Sequence, residues 1–134
     1  MHQLLRSPRV ATLVVTAALF ALAHTRAPAA ARGAQASCTA RAVTTVALVA
    51  CHASEIARLD SQLAALYAVT LAALPADQRA KLEASEKRWA AFRAGDCDVF
   101  FGHATGTMAP VQAGTCEIDR TQQRIANLQG FAGK

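Results

Sequence analysis

Leu82-Glu83-Ala84-Ser85-Glu86-Lys87-Arg88-Trp89-Ala90-Ala91-Phe92-Arg93-Ala94-Gly95-Asp96-Cys97 joins the only tryptophan of the chain to an arginine and a cysteine in one helical register. Leu82, Ser85, Trp89 and Phe92 step by three and four residues, which aligns them on one face of an α-helix, while Glu83, Lys87 and Arg88 fall away from it. Trp89, Arg93 and Cys97 follow at i, i+4 and i+8, so the cysteine lies under the same stripe and is placed to tether the helix end. The pattern predicts an amphipathic helix whose aromatic seam is core and not a binding platform, because large aromatics dominate core energetics.

Upstream, Ile56, Leu59, Leu63, Leu66, Tyr67, Thr70, Leu71 and Leu74 keep the same three-four spacing within a helix expected from Thr45 to Leu74, which Pro75 stops. Asp60 borders that stripe. Pro75-Ala76-Asp77 opens the next helix, expected over Asp77 to Phe101, with Asp77 near its positive end and the pairs Asp77/Lys81 and Glu83/Lys87 on a solvated face. Gly95 and Val99-Phe100-Phe101-Gly102 mark its fraying end, and the residues from Gly102 to Thr107 read as a loop. Thr107 as a cap, with Pro110 just inside, starts a third helix over Met108 to Gln129, ended by Gly130 and striped by Ile118, Thr121, Ile125 and Leu128. Gly114 within it signals a close approach or a weak point that lets Cys116 come near Cys97. Strand-like alternation is absent. The expected fold is all-α, a small bundle or hairpin of about three helices packed on Tyr67, Trp89, Phe92, Ile125 and Leu128.

The first residues read differently. Arg6 and Arg9 precede an apolar run from Val10 to Ala23 that ends in the small-x-small site Ala21-Leu22-Ala23, the pattern of a secretory signal peptide over residues 1–23. The run is short for a membrane span of about 20 apolar residues. A second cut is offered by Ala34-Gln35-Ala36, with residues 24–37 between the sites reading as a flexible leader and 38–134 as the domain. Of the 14 basic and 9 acidic residues, Arg6, Arg9, Arg26 and Arg32 lie ahead of Ser37 and no acid does, so the exported part is nearly neutral. A basic isoelectric point that belongs mostly to the leader licenses neither nucleic-acid nor membrane-surface binding.

All four cysteines, Cys38, Cys51, Cys97 and Cys116, lie in the exported part, which calls for two disulfides in a domain of roughly 100 residues. Three pairings are open, and Cys38 with Cys51 and Cys97 with Cys116 are the two bonds that close short loops. No Cys-x-x-Cys occurs, and His52 and His103 have no ligand-like spacing, so neither metal nor other cofactor is called for. Catalysis finds no set either. Ser54 and Ser85 sit on helices without a Gly-x-Ser-x-Gly turn, and Asp96 and Asp98 point to different sides of one helix.

The order Cys38, Cys51, Asp60-x-x-Leu63-x-x-x-Tyr67, Ser85-x-x-x-Trp89-x-x-Phe92-Arg93-x-x-x-Cys97, Gly106-Thr107-Met108-Ala109-Pro110, Cys116 and Thr121-x-x-Arg124-x-x-x-Leu128 resembles the LprI-type lysozyme-inhibitor family across nearly the whole exported chain. Two departures are Ala64, where that family often has asparagine, and Thr105-Gly106-Thr107 in place of a commoner Gly-Gly-Ser. The resemblance implies a small exported bacterial helical domain with paired cysteines, periplasmic or extracellular, that binds a lysozyme-type muramidase and protects peptidoglycan. The alternative is an envelope interaction module without inhibitory activity. Asp60, Tyr67, Trp89, Phe92, Arg93, Thr121 and Arg124 form the structural motif, with an arginine of the seam expected to place its guanidinium on Asp60 and lock helix register. For a partner-binding site the candidate is the loop bearing His103, Thr105, Gly106 and Thr107, because it is framed by glycines and is held at its base if Cys97 joins Cys116.

Overall fold

Pro75 has no backbone donor and holds Leu74 in an extended conformation (φ −89°, ψ 148°), so the helix ahead of it stops there. In the computed structural model the described residues are 27–103 and 106–132, and their regular structure is entirely helical. It comprises α1 (Ala27–Arg41), α2 (Thr45–Ala73), α3 (Ala76–His103) and α4 (Ala109–Ala132). The all-α class is as read from the sequence, with one helix more than the three expected. The expected signal peptide lies outside the described residues.

The chain divides between Ser37 and Cys38 into two units. Where a flexible leader is expected, the described backbone is helical from Ala27. Alanine dominates this stretch and is the best helix former, while Pro28 stands in the first turn, where a missing N–H costs no bond. The end of α1, from Cys38 on, belongs to the second unit, which contains the rest of the fold.

Thr44 caps α2, its Oγ1 accepting the Ala47 N–H at 3.1 Å. The first turn of α3 is closed by Arg79 N–H on the Pro75 carbonyl at 2.9 Å and carries Asp77 at its positive end. Between α3 and α4 the backbone reverses through Gly106 at φ +84°, a conformation that glycine adopts without steric cost. The α4 N-terminus differs from expectation by one residue: Met108, not Thr107, provides the first carbonyl acceptor, to Gln112 N–H at 3.0 Å. Gly130 does not end α4, which runs on to Ala132, and α3 likewise passes through Gly102 to His103.

Helices α2 and α4 run in the same direction and α3 runs against them, as cross-helix partners show: Cys97 meets Cys116, Arg93 meets Thr121, and Arg124 meets Glu86. Leu59 and Leu63 of α2 and Ile125 and Leu128 of α4 form the buried centre, with Leu66, Tyr67, Leu82, Trp89 and Ile118 packed around it. Each such side chain contributes about 1.5–3 kcal/mol when fully buried. Phe92, expected in this core, is 53% exposed. The reason is geometric: α3 leans chiefly on α4 and little on α2, so its buried arc is narrow. The arc takes Leu82, Trp89 and Cys97 but leaves Phe92 outside, under the Arg120 guanidinium at 5.6 Å.

Candidate functional site

Arg93 of α3 reaches both other long helices. Its Nη1 donates to Asp60 Oδ1 on α2 at 2.5 Å and to Thr121 Oγ1 on α4 at 2.8 Å. Thr121 is fully buried and passes its own proton to the Glu117 carbonyl at 2.7 Å. One helical turn away, Arg124 donates through Nε and Nη2 to Glu86 Oε2 at 2.9 and 2.7 Å, with Ser85 Oγ at 3.4 Å. Trp89 lies between the two guanidiniums, 5.0 Å from Arg93 and 5.8 Å from Arg124, so its face is used by cations of the same chain. Beside this seam, half-burial pushes the Tyr67 phenol above its ordinary value, Glu83 and Glu86 push it the same way, and Arg124 opposes them. These bonds fix how the helices sit against each other.

The open chemistry is at the end of the domain where α2 and α4 begin. Cys38–Cys51 binds the close of α1 to the second turn of α2, and Cys97–Cys116 binds α3 to the second turn of α4. Those are the pairings that close the shorter loops. At the same end His52 is buried against Gly114: a β-carbon there would stand 2.8 Å from His52 Nδ1 and 3.0 Å from its Cβ. Gly114 is therefore a close approach, made to α2. His52 Nδ1 has no hydrogen-bond partner among the described residues.

Above this cross-linked base lies an apolar recess of about 270 Å³, lined by Thr45, Val46, Val49, Thr107 and Pro110. Val46 is 79% exposed, Val43 in the preceding turn 93%, and Met108 also stands out into solvent. Among the described residues no charged side chain lines the recess. Clustered exposed apolar groups of this kind mark interaction sites, whereas single ones carry no meaning.

A family model described as Lysozyme inhibitor LprI matches residues 37–128. The chain belongs to this family. No curated protein and no solved structure matches it. The LprI match begins next to Cys38 and ends at Leu128, so it takes in both disulfides, the arginine seam and the recess.

Of the residues expected to form a partner site in this LprI domain, Gly106 makes the positive-φ turn and Thr107 lines the recess. His103 is the last helical residue of α3 rather than a loop residue, and Thr105 lies outside the described residues. Val43, Val46, Val49 and Pro110 were not legible as site residues, since valines at helical spacing read as core and only the turn ahead of Thr45 leaves them overhanging the end. Glu55 was also missed. It is buried on α2 and held by its neighbour Arg58 at 2.6 and 2.8 Å, a bond that raises the Arg58 pKa against the opposing effect of burial. Among the described residues, metal-ligand types gather at Asp96, Cys97 and Cys116, but the two sulfurs are bonded to each other and offer no thiolate.

Proposed function

We propose that this LprI domain is an exported inhibitor that binds a lysozyme-type muramidase through its disulfide-framed end and so protects peptidoglycan. The observation that carries the reading is the coincidence at one end of an exposed apolar recess and both covalent cross-links. An interface built on cross-linked helices loses little conformational freedom on binding, so more of the burial energy is retained as affinity. Membership of a lysozyme-inhibitor family supports the choice of partner. Two formed disulfides fit an oxidising compartment outside the cytoplasm, periplasmic or extracellular. No helix among the described residues is long and apolar enough to cross a membrane.

The described lining of the recess is uncharged and the exported chain nearly neutral, so the complex forms by fit and apolar burial, with little long-range steering toward a basic enzyme. Val46 and Val49 are the anchors in this reading, with Thr107 and Met108 at the rim and the Gly106 turn setting their height. The test is a peptidoglycan-clearing assay with lysozyme titrated by the purified protein. Val46→Asp and Thr107→Arg should each weaken inhibition at least about tenfold while the helical circular dichroism stays that of the wild type. Failure of the folded wild type to inhibit any of several lysozyme classes overturns the assignment and leaves a protein-binding module of the envelope. His103→Ala separates the α3 end from the recess. Unchanged inhibition places the contact on the recess alone.

A further inference from the structure

At the opposite end of the domain, between the first turns of α3 and the last turns of α4, lies a groove of about 320 Å³. Leu82, Leu128 and Phe131 give it an apolar floor, Lys81, Arg124 and Asn127 are among its polar groups, and no acidic side chain among the described residues lines it. Its volume falls at the lower end of the range of about 300–1,000 Å³ for small-molecule pockets. Phe131 keeps half of its surface in solvent there.

The two cations have capacity to spare. Arg124 commits Nε and Nη2 to Glu86, which leaves Nη1 without a partner among the described residues. Lys81 has only Asp77, at 3.7 Å on an exposed face, a contact of a kind that contributes little and breaks readily. Gln78, also in the lining, stands in the first turn of α3, where the unpaired N–H groups of the helix favour negative charge. An apolar floor flanked by two cations, with no lining carboxylate among the described residues, complements an alkyl chain that ends in a carboxylate.

We propose that this groove is a binding site for a medium-chain alkyl carboxylate, its chain on Leu82, Leu128 and Phe131 and its carboxylate between Lys81 and Arg124. At about 30 Å³ for each non-hydrogen atom, the groove holds about ten such atoms, the size of octanoate. The site is separate from the recess at the starts of α2 and α4, and occupancy of one leaves the other open.

The protein carries its own reporter, since Trp89 is its only tryptophan and lies 5.8 Å beneath the Arg124 guanidinium. Octanoate titrated into the full chain should change Trp89 emission saturably, with a Kd of order 10⁻⁴ to 10⁻³ M for a ligand of this size. Amide shifts in a nitrogen-15 spectrum should cluster at Gln78 to Ser85 and Asn127 to Phe131. Octanol, which lacks the charge, and acetate, which lacks the chain, should each bind at least about tenfold more weakly. Lys81→Glu, a change at an exposed position with the fold checked by circular dichroism, should weaken octanoate at least about fivefold and leave octanol unchanged. Val46→Asp at the far end should leave octanoate binding intact. The proposal is overturned if the response does not saturate, if octanol equals octanoate, if Lys81→Glu binds as wild type does, or if the shifts fall on the recess.

Discussion

Replacing Arg93 by methionine keeps the apolar stem in the seam and deletes the guanidinium, which isolates what the charge contributes. Three contacts are lost: a bond to Asp60, a bond to Thr121 and the stacking over Trp89. They are unequal. Asp60 has 44% of its side chain in solvent and rehydrates when abandoned, so its share is about 0–1 kcal/mol. Thr121 is fully buried and loses a charged donor that water cannot replace, a loss of about 1.5–3 kcal/mol. The cation over the indole adds about 0.5–1 kcal/mol. The total of about 2–5 kcal/mol corresponds to a Tm lowered by about 8–40 °C in a domain of this size. Thermal unfolding followed by circular dichroism reads it, with Asp60→Asn and Thr121→Val as companions and a double-mutant cycle for each pair. Coupling between positions 93 and 121 should exceed that between 93 and 60, and high salt should reduce only the latter. The reasoning is refuted if Arg93→Met lowers Tm by less than about 3 °C, or if Asp60→Asn costs as much as Arg93→Met.

Gly114→Ala should destabilise by about 1–2 kcal/mol although alanine is the better helix former, because the new methyl meets the His52 ring; His52→Ala in the same chain should restore the loss, and urea unfolding measures both. The raised Tyr67 pKa means that the folded phenol holds its proton above the ordinary value of about 10, so its stabilising contribution is complete below that pH and disappears as pH rises through the folded value. Wild type should therefore lose stability relative to Tyr67→Phe as pH rises above about 10, and parallel curves there would contradict it. Replacing Cys97 and Cys116 together by alanine should cost about 3 kcal/mol on the loop-entropy account, and should lower lysozyme inhibition by more than the loss of folded protein explains.

Elements with an apolar stripe and a hard stop were legible in the sequence. Pro75 and the leucines before it delimit α2, and the short spans between cysteines favoured the two bonds that form. Helix α1 was not legible because it has no apolar stripe: its helicity comes from alanine propensity, and an alanine-rich leader reads as loose chain. Phe92 misled because spacing tells which residues share a face but not how wide an arc a neighbouring helix covers. Ion pairs across helices were harder still. Nothing in the sequence singled out Glu86, yet it is the carboxylate that holds Arg124. The recess was half legible: glycines and Thr107 mark a turn, but Val43 and Val46 are apolar residues that the core does not take.

The placing of the disulfides also decides what a protease can do to the molecule. The turn between α1 and α2 lies inside the loop closed by Cys38 and Cys51, and the turn between α3 and α4 lies inside the loop closed by Cys97 and Cys116. A single peptide-bond cut in either turn leaves both fragments joined through sulfur, with the surface around Val46 and Thr107 still assembled. A cut at the turn around Pro75 has no such bridge across it, and the piece carrying α3 and α4 is then held to α2 by packing and by Arg93 alone among the ion pairs described. In surroundings rich in proteases, the end that carries the recess is the one that survives nicking.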